Sequence, residues 1–148
     1  MSVLLICLST EHGNTRKLAE AMAGELDAKV VEPAEVDVDS LDEHELIGFG
    51  SGIRFARHYR ELFDLVGRLP RQVGKHAFVF STSGFGFRWW HGALRKRLVA
   101  KGFVIQDEHC CQGLDIMGLL RLFGGVNKGK PDDQDLAAAR AFARRLKG

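Results

Sequence analysis

Five short apolar runs alternate with amphipathic stretches along this chain, and that alternation leaves few folds open to it. The runs are Val3 to Leu8, Ala28 to Val31, Glu45 to Gly50, His76 to Phe80 and Phe103 to Cys111. The first is apolar at every position, as a strand covered on both faces must be. Between and after the runs lie helical stripes. From Thr15 to about Leu26 the apolar positions are Leu18, Ala19, Met22, Ala23 and Leu26, spaced to share one face. Further helices are expected from about His58 to Val66, from about Trp90 to Ala100 (ended by Gly102), and from Asp132 to Leu146 after Pro131. Asp132 or Asp133 can cap the last of these. The segment from Glu32 to Glu45 is acidic, and Val36, Val38 and Leu41 are expected to anchor it. Strand-helix alternation predicts an α/β fold, a parallel sheet with helices on both faces and right-handed crossovers. A length of 148 residues suits one domain, 1–148.

Such sheets bind ligands outside the carboxyl ends of their strands. Three polar loops fall there: Ser9 to Thr15, Gly50 to Phe55 and Ser81 to Phe87. The first joins a buried strand to a helix, whose opening N–H groups have no partners in the helix and sit at the positive end of its dipole. Ser9, Thr10 and Thr15 add hydroxyls, and Gly13 lets the backbone approach closely. This is a phosphate cradle. It matches neither GxxxxGK[ST] nor GxGxxG, which argues against a nucleoside triphosphate with Mg²⁺ or a dinucleotide held in the Rossmann manner. Phe55 and Phe85 can face a flat ring, with Tyr59, Phe87, Trp89 and Trp90 nearby. A flat heteroaromatic ring carrying a phosphate tail, such as FMN, fits the combination.

The same residues resemble a known family. Thr10-Glu11-His12-Gly13-Asn14-Thr15, followed by Ala19, is similar to the flavodoxin phosphate-loop signature T-x-x-G-x-T-x-x-x-A. Thr82-Ser83-Gly84-Phe85-Gly86 resembles the flavodoxin loop in which an aromatic between glycines stacks on the flavin. The stretch GGVNKGKPDDQDLAAARAFA resembles the C-terminal part of a subgroup of bacterial and archaeal flavodoxins. The resemblance covers nearly the whole chain. It implies a flavodoxin-like three-layer sandwich, a five-stranded parallel sheet ordered 2-1-3-4-5, non-covalent FMN and electron transfer between redox proteins. By position, it implies that Thr10, Glu11, His12, Gly13, Asn14 and Thr15 hold the phosphate. Ser51, Gly52, Ile53, Arg54 and Phe55 would line one side of the ring, and Thr82, Ser83, Gly84, Phe85 and Gly86 the other. No side chain is expected to act as a catalytic acid or base, because the flavin carries the chemistry.

The chain departs from the family in charge. Many flavodoxins are strongly acidic, whereas this one has net charge +2, with basic segments from Arg54 to Arg71 and from Arg88 to Lys101. Fewer negative charges imply a less negative second reduction potential. The basic segments read either as solvated helix faces or as a docking surface for an acidic partner, such as a reductase or ferredoxin-like surface. A charge of +2 does not imply nucleic-acid binding. No run is long enough to span a bilayer, and Cys7, Cys110 and Cys111 form no disulfide framework, so a reducing cytoplasmic setting is expected. The histidine spacing suggests no metal site, and there is no G-x-S-x-G elbow. Two other functions remain open. One is an FMN-dependent oxidoreductase on a quinone or porphyrinogen, since Ser51-Gly52-Ile53-Arg54 also resembles the oxygen-independent protoporphyrinogen oxidase branch, whose long insertion is missing here. The other is a flavin-free binding or signalling module.

Overall fold

The computed structural model describes residues 2–8, 14–54, 57–83, 91–112 and 132–147, and gives the backbone alone for residues 14, 54, 83, 111 and 112. In chain order the elements are β1 (Val3–Leu8), α1 (Asn14–Leu26), β2 (Lys29–Val31), β3 (Leu46–Arg54), β4 (Arg57–His58), α2 (Arg60–Arg68), β5 (Lys75–Ser83), α3 (Gly92–Lys101), β6 (Phe103–Gln112) and α4 (Asp133–Lys147). Five strands pair in parallel in the order β2-β1-β3-β5-β6, and β4 pairs antiparallel with β3. With β4 set aside, this is the order that the family resemblance implied.

Strand alternation divides the core in two. Val3, Leu5, Cys7, Phe78 and Phe80 face α1 and α4, where they meet Leu18, Met22, Ala139 and Phe142. Leu4, Ile6, Ile47, Phe49, Ala77 and Val79 face α2 and α3, where they meet Leu62, Leu65, Leu94 and Leu98. The continuous apolar character of β1 follows from this, since both of its faces are covered. Leu41, in the second of two 3₁₀ turns (Pro33–Glu35 and Val38–Glu43), is buried in the α2–α3 side of the core, and Val36 and Val38 pack against it. Asp132 caps α4 reciprocally: Asp135 N–H donates to Asp132 Oδ1 and Asp132 N–H to Asp135 Oδ2, both at 2.9 Å.

Several boundaries differ from the sequence reading. The helix expected from His58 begins at Arg60, because His58 pairs with Ile53 in the β3–β4 ribbon. Strand β3 runs on past Gly50 to Arg54, and β5 past Phe80 to Ser83. Both extensions are held by register pairs that a local reading does not contain, Ser51 with Ser81 and Gly52 with Thr82. Ser51 to Arg54 and Ser81 to Ser83 are therefore ladder residues rather than free loop.

Candidate functional site

At the carboxyl edge of the sheet, α1 opens beside the end of β5. Thr15 lies in the first turn of α1, and its Oγ1 is 2.6 Å from Oγ1 of Thr82. Both residues are nearly closed to solvent, at 2% and 6% exposed. No acidic residue occupies that first turn, which leaves the positive end of the helix without a carboxylate of its own among the described residues. The pair brings together a residue from the first predicted loop and one from the third, 67 positions apart. One hydroxyl donates to the other, which leaves the second O–H, with the opening N–H groups of α1, to donate to an anion such as a phosphate.

The second predicted loop is the β3–β4 ribbon. Ser51 is fully buried; its hydroxyl donates to Gly52 O at 2.6 Å and accepts from Tyr59 N–H at 3.1 Å. These two bonds fix the ribbon to the start of α2. A Cβ at Gly52 would lie 2.8 Å from the Tyr59 hydroxyl, so a larger residue there would have to displace the end of that side chain. Gly52 and Ile53 are half-buried. The backbones of Asn14, Arg54 and Ser83 close the described part of the edge. Thr10, Glu11, His12, Gly13, Phe55, Gly84, Phe85 and Gly86, with Phe87, Trp89 and Trp90, lie outside the described residues.

Beneath this edge, on the α2–α3 side, is a polar chain that sequence reasoning missed. Ser81 Oγ lies 2.6 Å from His91 Nε2, and His91 Nδ1 lies 2.9 Å from Glu108 Oε1. Arg95 donates to the other oxygen of Glu108 at 2.6 Å. Ser81 and His91 are fully buried. The chain links the end of β5, the start of α3 and the middle of β6, so no spacing in the sequence announces it. His58 packs against His91 with ring centroids 4.9 Å apart. Its Nε2 donates to Phe80 O at 2.9 Å, and its Nδ1 has no hydrogen-bond partner among the described residues. Burial first, and the neighbouring His91 second, push the His58 pKa down to about 3. His58 is therefore a neutral imidazole at physiological pH. On the outer surface, Arg57 and Arg97 lie over the Phe63 ring at 5.4 and 5.8 Å. Both arginines are exposed and make a small basic face next to the ribbon, while Arg60 pairs with Asp64 at 3.7 Å.

Comparison with known proteins agrees with this architecture. Residues 5–98 match the model of a family described as a flavodoxin domain. An uncharacterized protein of Methanocaldococcus jannaschii is 39% identical over 148 residues, covering 99% of this chain and 98% of that protein. Among solved structures, a flavodoxin from the domain Archaea superposes with a TM-score of 0.73 at 20% identity, covering 99% of this chain and 96% of that one. Oxidised flavodoxin 2 from Bacillus cereus gives 0.72 at 19% identity, with both chains fully covered. The fold, the order of its strands and the matched residues together place this chain in the flavodoxin family.

Proposed function

We propose that residues 1–148 act as one FMN-binding domain that carries electrons between redox proteins in the cytoplasm. The observation that carries this reading is the buried Thr15–Thr82 hydroxyl pair at the head of α1. The donor set fits the phosphate of FMN, and the absence of a carboxylate in the first turn of α1 favours a dianion there. In this reading Thr15 holds the phosphate together with Thr10, Glu11, His12, Gly13 and Asn14, and Thr82, which the family resemblance sets on the ring side, joins them through its bond to Thr15. Ser51, Gly52, Ile53, Arg54 and Phe55 line one side of the ring, and Ser83, Gly84, Phe85 and Gly86 the other. The Ser51 and Tyr59 bonds give the ribbon a fixed backbone against which a flat ring can rest. Bound FMN would supply reversible electron uptake. The protein orients the ring, limits water and presents a docking face.

The basic face around Phe63 favours an acidic redox protein as partner. Among the described residues no helix is long and apolar enough to cross a membrane. The test is to mix reduced, FMN-loaded protein with an acidic ferredoxin or reductase and follow flavin reoxidation. Fast transfer that slows steeply with salt supports the carrier reading. Rapid turnover of a quinone or a porphyrinogen without any protein partner would replace it with the oxidoreductase reading.

A further inference from the structure

Ser81, His91, Glu108 and Arg95 form one hydrogen-bonded chain, and the direction of its bonds constrains where a proton can sit. Arg95 donates to one oxygen of Glu108 and the other faces His91 Nδ1, so the carboxylate accepts from both. His91 Nδ1 must then carry hydrogen, and the titrating atom is Nε2, which faces Ser81. With Nε2 bare, the Ser81 hydroxyl donates inward to it. With Nε2 protonated, it donates to Ser81 Oγ, and the Ser81 hydrogen is released to point elsewhere. Opposing influences act on the ring. The carboxylate of Glu108 favours the imidazolium. Full burial and the Arg95 guanidinium sharing that carboxylate disfavour a second positive charge, while the neighbouring His58 ring is neutral. Across β6, Asp107 turns its carboxylate to the Glu108 N–H at 2.8 Å. Ser81 stands one residue before Thr82 on β5, so the chain ends beside the Thr15–Thr82 pair, and buried charges are poorly screened.

We propose that His91 is a redox-linked proton site: when the ligand above the sheet edge becomes more negative, Nε2 takes up a proton from solvent and holds it against Ser81. This rests on the FMN reading above. The balance is one electron from the reduced partner onto the bound flavin and one proton from water onto His91 Nε2. The only bond formed in the protein is that N–H. The negative charge gained by the flavin is compensated within the protein, which makes the second electron easier to accept than the buried site alone would allow.

The test uses FMN-loaded protein labelled with ¹⁵N-histidine. Imidazole correlations are recorded oxidised and dithionite-reduced, from about pH 5.5 to 8.5, the range in which histidine titrates. Nε2 of His91 should pass to its protonated signature at a pH about one unit or more higher in the reduced protein, a tenfold or greater gain in proton affinity. In parallel, the second reduction potential should fall with rising pH by up to about 59 mV per unit, one proton per electron. His91→Gln keeps a hydrogen-bonding side chain without titrating, and should flatten that slope. An Nε2 signature that is the same in both redox states at every pH would overturn the proposal, as would an unchanged slope in the folded variant. If His91→Gln does not fold, the spectra of the unmodified protein decide alone. Failure to take up FMN would remove the electron-carrier reading together with this one, whereas FMN uptake with an indifferent His91 would remove only this one.

Discussion

Acid should destabilise this protein through His58 before most carboxylates respond. The imidazole is 2% exposed, donates its one N–H to Phe80 O and is held at a pKa of about 3 against 6.5 when free. A depressed folded-state pKa means that the unfolded chain binds the proton first. The stability His58 contributes is thus present above its unfolded pKa and is lost as pH falls from about 6.5 toward about 3. Each unit in that window removes about 1.4 kcal/mol. Between pH 7.5 and 4.5, two units of which lie in the window, His58 alone should remove about 2–3 kcal/mol, a sizeable share of an ordinary domain's stability. The assay is urea unfolding at both pH values for the unmodified protein and for His58→Gln, which can still donate to Phe80 O. The variant begins less stable at pH 7.5, because it loses ring packing against His91. Its further loss at pH 4.5 should be smaller by about 2–3 kcal/mol. Carboxylates common to both proteins cancel in that double difference. Equal acid losses in the two proteins would refute the claim that His58 is buried and neutral.

Other consequences follow from single contacts. Thr82→Ala removes the partner of the buried Thr15 hydroxyl. It should cost the apoprotein about 1 kcal/mol by urea unfolding and weaken FMN binding while leaving riboflavin binding unchanged. Gly102 closes α3 at φ 109°, and a Cβ there would run into the backbone oxygen of Gln72. Gly102→Ala should therefore lose about 1–3 kcal/mol of stability, and a neutral result in thermal unfolding would contradict the strained cap. Burial pushes the Cys7 thiol up to about 12, so native protein at neutral pH should resist iodoacetamide at Cys7, as read by peptide mass spectrometry, until it is unfolded.

The parts of the fold that sequence made legible are those with local causes. Val3 to Leu8 is apolar throughout because both faces are covered, and the α1 stripe buries Leu18, Ala19, Met22 and Leu26. Asp132 acts as the cap its position before a helical run suggested. What was hidden depends on partners distant in the chain. Arg54 and Arg57 do not look like strand residues, yet they pair across the ribbon. Between the charged residues Arg57 and Arg60, His58 gives no periodic sign of burial. Its place is set by tertiary packing, with Phe80 O 22 positions away. The Ser81–His91–Glu108 chain was invisible for the same reason, since its members belong to three elements. In the site, Thr15 and Thr82 were both singled out from sequence, but only the sheet brings them within 2.6 Å.

The claim at the centre of this account is that the head of α1 holds a phosphate. It is tested most directly by titrating purified apoprotein with FMN and with riboflavin and following the quenching of flavin fluorescence. The two ligands differ only in the phosphate, and each charge-assisted hydrogen bond to it is worth about 1.5–3 kcal/mol. One-to-one FMN binding at least about a hundredfold tighter than riboflavin is the predicted result. Equal affinities would mean that the Thr15–Thr82 cradle holds no phosphate, and no FMN binding at all would leave the edge of this sheet without its proposed cofactor.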